Sequence, residues 1–144
     1  MNWETYFQTG ITLYDKGYYM RNKEDVLSIV NALKYFIQAN KLIEEDNLCK
    51  PKTLRCIASC NYKIGNPVFA YRIAYKAKRS VQKAIQNSIL GGISGEMIGE
   101  QRIDELIQEI QQNFKQEIKN CDITNLDFDE NYLDLSKVNK YLNG

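Results

Sequence analysis

Small residues recur at helical spacing in two parts of the chain, and this recurrence is the strongest constraint on the fold. The two stretches are ALKYFIQANKL (residues 32–42) and AYRIAYKAKRS (residues 70–80). In each, three residues lie four and three positions apart on one helix face: Ala32, Phe36 and Ala39, then Ala70, Ala74 and Ala77. Because alanine lets two helices approach closely, both stretches predict helices packed tightly against another helix.

Apolar residues follow helical spacing nearly throughout the chain, which predicts an all-α fold. The predicted helices cover about 3–15, 25–45, 52–64, 67–90 and 96–120, and a short last helix begins near Ser136. We expect Gly17 to cap the first helix, and Gly65 to end the third before Pro67 starts the fourth. GGISG (91–95) predicts a hinge rather than a phosphate loop, because no strand precedes it and no lysine follows at the P-loop position.

The segments before the two alanine-rich stretches also correspond. With Gly17 aligned on Gly65, YFQTGITLYDKG matches LRCIASCNYKIG, and Gly10 falls on Ala58. Fifteen residues separate Gly17 from Ala32, whereas five separate Gly65 from Ala70, so the first unit carries about ten inserted residues. The chain therefore contains two copies of a helical hairpin, an internal repeat.

These copies resemble the tetratricopeptide repeat (TPR) family, whose pattern is W-x2-L-G-x2-Y…A-x3-F…P over about 34 residues. The matching residues are Tyr6, Thr9, Gly10, Leu13, Ala32, Phe36 and Ala39 in the first unit, and Leu54, Ile57, Ala58, Gly65, Ala70 and Ala77 in the second. The sequence departs from the pattern at Ala74, where the family has an aromatic residue, and at Pro51, which comes later than the usual proline.

The resemblance implies an all-α, TPR-like domain over residues 1–120. Antiparallel helical hairpins at about 3–45 and 52–90 would form a short right-handed array, and the amphipathic helix at 96–120 would close it. Residues 121–144 would form an acidic C-terminal segment with a short helix. A plain antiparallel helical bundle is the alternative.

The absence of histidine removes many kinds of catalytic and metal site. Ser-His-Asp and Cys-His catalysis and histidine-ligated metals are impossible for a chain with no histidine. Cys56 and Cys60 lie one helical turn apart; they are expected to be buried core residues, and a metal or redox site with Cys49 is the alternative. We therefore expect no enzyme activity and no cofactor.

The charge is divided unequally along the chain. Residues 1–90 hold 14 Lys/Arg and 7 Asp/Glu, residues 91–144 hold 5 and 11, and no acid lies between Asp46 and Glu96. The fourth helix carries a basic stripe: Arg72, Lys76, Arg79 and Lys83. In TPR proteins the first helix of each hairpin lines a peptide-binding groove, so the resemblance adds residues of the third helix: Lys52, Arg55, Ser59, Tyr62 and Lys63.

Three interpretations of this basic surface stay open. It binds an acidic segment of another protein; or it is a solvated face partly neutralised by the chain's own acidic segment, residues 127–135; or it binds nucleic acid, as a regulatory protein would. We predict the first, a non-enzymatic adaptor or scaffold module, and a small immunity or adaptor protein with a cognate partner would also fit. Neither a membrane span nor a signal peptide is recognisable, so a cytoplasmic location is expected.

Overall fold

The predicted all-α class is confirmed by a computed structural model, which describes residues 2–86, 94, 95 and 98–142. These residues form helices and no strand. The helices are α1 (Trp3–Gly17), α2 (Lys23–Asn40), α3 (Lys50–Lys63), α4 (Pro67–Gln86), α5 (Glu100–Asn113), α6 (Lys115–Ile118) and α7 (Asn139–Leu142). None of the helices in this part of the chain could span a bilayer.

Consecutive helices pack in pairs around one core. α1 packs mainly on α2 and α3 mainly on α4, while α2 joins the two pairs through α3. α5 lies across α4 and α3, where its buried face presents Ile103, Ile107 and Ile110. The amphipathic helix thus covers the second pair, as its single apolar stripe predicts.

The small residues of the repeat lie where the paired helices meet. Ala32, Ala39, Ala58 and Ala77 are completely buried, as is Phe36. A methyl group placed on Gly10 would lie 2.6 Å from Cε1 of the Phe36 ring. Glycine at this position therefore allows the Phe36 ring to pack directly against the backbone of α1.

The ten inserted residues of the first unit lengthen its helices instead of forming a long loop. Relative to the second unit, α1 runs two residues further past Gly10, and α2 starts six residues earlier before Ala32. The turn at 18–22 is two residues longer than the turn at 64–66. Asn22 caps the extended start of α2, where its side-chain oxygen accepts a 2.9 Å hydrogen bond from the Asp25 amide.

Gly17 does not cap α1 in the way the sequence suggested. It is the last helical residue, it is buried, and the following residue, Tyr18, has right-handed helical backbone angles. A methyl group on Gly17 would collide with the carbonyl oxygen of Asp25 and lie 3.0 Å from Cβ of Ser28. Glycine is needed here because the ends of α1 and α2 nearly touch, whereas Gly65, with a φ of 94°, does adopt the left-handed conformation.

Four predicted helix boundaries were wrong: the end of the second helix, both ends of the fifth and the start of the last. The fifth begins at Glu100 instead of about 96, directly after Gly99, which has a φ of 89°. α2 ends at Asn40 instead of near Glu45, because the next amides turn back onto α2, with Leu42 donating to the Ala39 carbonyl. The helix predicted to reach 120 breaks at Phe114, whose backbone leaves helical geometry while its ring packs edge-on against Tyr62. The last helix starts at Asn139, three residues after the predicted start.

Part of the predicted hinge and the predicted end of the fourth helix lie outside the described residues. The structure describes α4 as far as Gln86, and of GGISG it describes Ser94 and Gly95. The Gly95 carbonyl accepts hydrogen bonds from the amides of Ile98 and Glu100, so it forms part of the turn that leads into α5.

Residues 122–135, which we call the C-terminal strap, have no helix and cross the surface of the helical pairs. A side chain in each of four short turns accepts a hydrogen bond from the amide two residues ahead; the acceptors are Asp122, Asn125, Asp129 and Asp134. These turns offer the backbone an alternative to helix, which explains why a segment with several apolar residues is not helical.

We expect Gly10→Ala to destabilise the fold. The added methyl group would displace the Phe36 ring, at a cost of about 1–3 kcal/mol that the higher helix propensity of alanine offsets only in part. Urea denaturation followed by circular dichroism measures the change, and Thr12→Ala on the exposed side of α1 is the control. If Gly10→Ala is as stable as the wild type, or if Phe36→Leu does not restore part of the loss, the two residues are not in tight contact.

Candidate functional site

The candidate residues on α3 do not form an open groove, because three of them are engaged by neighbouring helices. The Lys52 amine lies 5.0 Å from the ring centre of Trp3 on α1. The Lys63 amine donates a 2.6 Å hydrogen bond to the Tyr18 carbonyl and lies 3.8 Å from the Tyr18 ring centre. The Tyr62 hydroxyl accepts a 2.8 Å hydrogen bond from the Asn113 side chain on α5.

The other two α3 candidates have different surroundings. Ser59 is half-buried and lies near Tyr14, whose phenol pKa is raised well above its usual range by burial. Arg55 is half-buried and lines an open cleft of about 370 Å³ between α3 and α5, together with Lys52 and Arg102. Neither arginine makes an ion pair or hydrogen bond to another residue in the described ranges.

The four basic residues of α4 do not form one continuous exposed stripe. Arg79 is exposed, and Lys83 and Arg72 are half-buried. Lys76 is only 8% exposed because the strap covers it. The Arg72 guanidinium donates a 2.9 Å hydrogen bond to the Asn125 carbonyl, so the strap occupies one end of the stripe and leaves the other open.

The strap is anchored by one buried carboxylate, that of Glu130. The Glu130 side chain lies between two lysine amines, at 2.9 Å from Lys76 and 3.2 Å from Lys50. The Asn40 side chain donates to the same carboxylate over 3.4 Å, and to Asn131 over 2.9 Å. Three helices thus contribute to one carboxylate site, which we call the clasp: Asn40 from α2, Lys50 from α3 and Lys76 from α4.

The clasp keeps Glu130 ionised although the residue is only 8% exposed. Burial alone would raise the pKa of this carboxyl group. The hydrogen bond from Lys76 and the charges of Lys50 and Lys76 outweigh burial and lower the pKa from 4.5 to about 2. Glu130 therefore compensates Lys76, and together with Glu45, which lies 3.3 Å from the Lys50 amine, it also compensates Lys50.

Aromatic and backbone contacts hold the strap on either side of the clasp. The Phe128 ring packs on Phe69 with ring centres 5.7 Å apart, and the charged groups of Arg72 and Lys76 lie 4.4 Å and 4.6 Å from its centre. The Asn66 side chain donates a 2.9 Å hydrogen bond to the Asp134 carbonyl. The strap is therefore bound along its length by α4 and by the turn that precedes it.

The strap does not fill the surface on which it lies. A cavity of about 360 Å³ remains beside Leu133, lined by Tyr35 and Ile37 and bordered by Lys34 and Lys41. Two buried atoms of strap-binding residues, Asn40 Oδ1 and Arg72 Nε, have no hydrogen-bond partner in the described part of the chain. The fit between strap and helices is thus incomplete.

The paired cysteines are core residues. Cys56 and Cys60 are 4% and 0% exposed, and burial raises the pKa of both thiols. Cys49 is half-buried. Among the described residues no group of three cysteine or carboxylate side chains is placed to hold a metal ion.

Sequence analysis missed three residues of the clasp. Lys50 precedes the predicted third helix, Asn40 lies inside the predicted second helix (25–45), and nothing in the sequence distinguishes Glu130 from the other acids of residues 127–135. One signal was available, namely that an acidic, aromatic segment follows two helices that contain no acid. That signal predicts attraction between them, but the partner of each charge depends on the path of the strap.

Comparison with known proteins adds no family assignment. A scan against protein-family models, a search of curated proteins and a search of solved structures gave no match to this chain.

We expect Glu130→Gln to lower the free energy of unfolding at pH 7 by about 3 kcal/mol, because it removes the carboxylate that contacts the buried Lys76 and leaves Lys50 with Glu45 alone. The folded-state pKa is below the ordinary value, so this stabilisation is present above about pH 4.5 and is lost as the pH falls towards 2. Urea denaturation at a series of pH values should therefore give a flatter profile for Glu130→Gln than for the wild type below pH 5.

The matched control is Asp127→Asn, which removes an exposed charge from the same strap. It should change stability at pH 7 by less than about 0.5 kcal/mol. If the two variants lose the same free energy of unfolding, the overall negative charge of the strap, and not the clasp, holds the strap on the helices.

Proposed function

We propose that this chain is a non-enzymatic protein-interaction module that binds an acidic, aromatic segment of a partner protein. The binding surface would be the face of α2 and α4 that the strap covers. The observation that carries this proposal is the clasp, in which Lys50, Lys76 and Asn40 hold the carboxylate of Glu130. The same groups would bind a glutamate from another chain.

The clasp would also make the surface selective. If the strap leaves and nothing replaces it, Lys76 loses the carboxylate that it contacts in the described chain, and Lys50 keeps only that of Glu45 at 3.3 Å. An incoming segment restores these contacts only if it places a carboxylate between the two amines. An apolar or basic segment would be rejected.

A partner must compete with the tethered strap, whose effective concentration is on the order of millimolar. The cavity beside Leu133 would give the partner an advantage. A larger side chain would fill the space over Tyr35 and Ile37, and an acid beside it would reach Lys34 or Lys41, both of which are exposed. A partner segment would thus gain contacts that the strap lacks.

The TPR-like array is part of the same proposal. Its support is the pairing of α1 with α2 and of α3 with α4, with small residues buried in both pairs. In this chain, however, Lys52, Tyr62 and Lys63 of the family's groove position are held by α1 and α5. We therefore place the partner on the α2–α4 face and not on α3.

We also propose that the protein acts in the cytoplasm. All four cysteines are free thiols, and thiols stay reduced in that compartment.

The test is binding of a fluorescein-labelled peptide with the sequence of residues 122–135, measured by fluorescence anisotropy. The Glu130→Gln chain has a weakened strap, so it should bind the peptide at least tenfold more tightly than the wild type does. A peptide that itself carries Glu130→Gln should not bind, and a peptide carrying Leu133→Trp should bind more tightly than the native sequence.

The Asp127→Asn chain is the control and should behave like the wild type. Circular dichroism establishes that each variant is folded, and Phe128→Leu replaces Glu130→Gln if the latter is not. Absence of peptide binding to any folded variant, or equal binding to all of them, would refute the proposal.

A further inference from the structure

The part of the strap that enters the clasp is a tight turn over residues 129–132. The Tyr132 amide donates a 3.2 Å hydrogen bond to the Asp129 carbonyl, and a hydrogen bond with this spacing closes a four-residue turn. Within the turn, the Asp129 side chain accepts a 2.9 Å hydrogen bond from the Asn131 amide. Aspartate is favoured at the first position of a turn because its side chain can accept such a bond. Two hydrogen bonds therefore hold residues 129–132 in this shape.

The turn directs two consecutive side chains towards one residue of α2. Glu130 and Asn131 occupy its two central positions, and the Asn40 side-chain nitrogen lies 3.4 Å from the Glu130 carboxylate and 2.9 Å from the Asn131 side-chain oxygen. Consecutive side chains point to opposite faces in a strand and do not face each other in a helix. The turn thus allows both residues to accept from the same amide group.

Lys76 fixes the distance between the turn and the aromatic residue that precedes it. Its amine donates a 2.7 Å hydrogen bond to the Phe128 carbonyl and a 2.9 Å hydrogen bond to the Glu130 carboxylate. The same amine lies 4.6 Å from the centre of the Phe128 ring. A segment with more or fewer residues between the aromatic residue and the glutamate would lose one of these contacts.

We infer that the α2–α4 face recognises a partner segment folded as a turn, with an aromatic residue directly before it, glutamate at its second position and a hydrogen-bond acceptor such as asparagine at its third. This inference rests on the proposed function and adds to it the shape of the partner segment. The role of the residue that corresponds to Asp129 is to hold the turn, because the Asp129 side chain is exposed and accepts its hydrogen bond within the strap. A segment that forms the turn before binding loses less conformational entropy when it binds.

The experiment measures binding of labelled peptides of residues 122–135 to the Glu130→Gln chain by fluorescence anisotropy, in about 150 mM NaCl to screen exposed charges. A peptide with Asp129→Ala lacks the acceptor that holds the turn, so it should bind about fivefold less tightly than the native peptide. A peptide with Asp129→Asn keeps a side-chain oxygen at that position, so its affinity should stay within about twofold of the native value.

The matched control is a peptide with Asp127→Ala, which removes another exposed acid of the same segment. Its affinity should stay within about twofold of the native value. Equal affinities of the Asp129→Ala and Asp127→Ala peptides would overturn the inference, as would an Asp129→Asn peptide as weak as Asp129→Ala. In both cases the native peptide still binds, so the proposed function survives, whereas absence of native peptide binding to every folded variant overturns both.

The same pair of substitutions in the full chain gives a second test. Asp129→Ala should weaken the strap, so the native peptide should bind this chain more tightly than it binds the Asp127→Ala chain. Both positions are exposed, and circular dichroism establishes that the two chains are folded. Equal peptide binding to the two folded chains would contradict a role for the turn.

Discussion

The close approach of paired helices is the constraint on which the rest of the structure depends. Gly10 places the Phe36 ring against the backbone of α1, and buried alanines bring α3 and α4 together in the same way. Helices packed at this distance form rigid pairs, and the positions of their ends are then fixed. The clasp combines two such ends, where Asn40 closes α2 and Lys50 opens α3, with Lys76 from the middle of α4.

The unequal charge of the chain acts within the molecule as well as on its surface. The helices α3 and α4 contain no acid, so their lysines repel one another. Glu130 compensates one lysine from each helix, Lys50 and Lys76, at a buried position. The remaining acids of the strap, such as Asp127 and Asp129, face solvent. The Glu130 carboxylate therefore provides the specific contact, while the other acids of the strap contribute mainly to the electrostatic potential around the protein.

Much of the fold could be predicted from the sequence because it depends on local signals. The starts of α1 and α4, the break at 64–66 and the burial of Cys56 and Cys60 follow from spacing, proline, glycine and composition. The early end of α2 and the break at Phe114 could not be predicted, since each involves a contact with a distant residue, Asn131 for Asn40 and Tyr62 for Phe114. The candidate site was harder still: the pairing of Lys50 and Lys76 with Glu130 joins positions 80 and 54 residues apart.

The lengthened first hairpin has a consequence for how such a chain can acquire new surfaces. The start of α2 has six residues more than the start of α4 when Ala32 is aligned on Ala70. These residues lengthen α2 by roughly 9 Å at this end. The residues around this extension, from Met20 to Val26, supply one wall of a cavity of about 430 Å³ beside the end of α3. The longer hairpin thus borders a concave surface that needs no additional hairpin, while small residues remain buried where the paired helices meet.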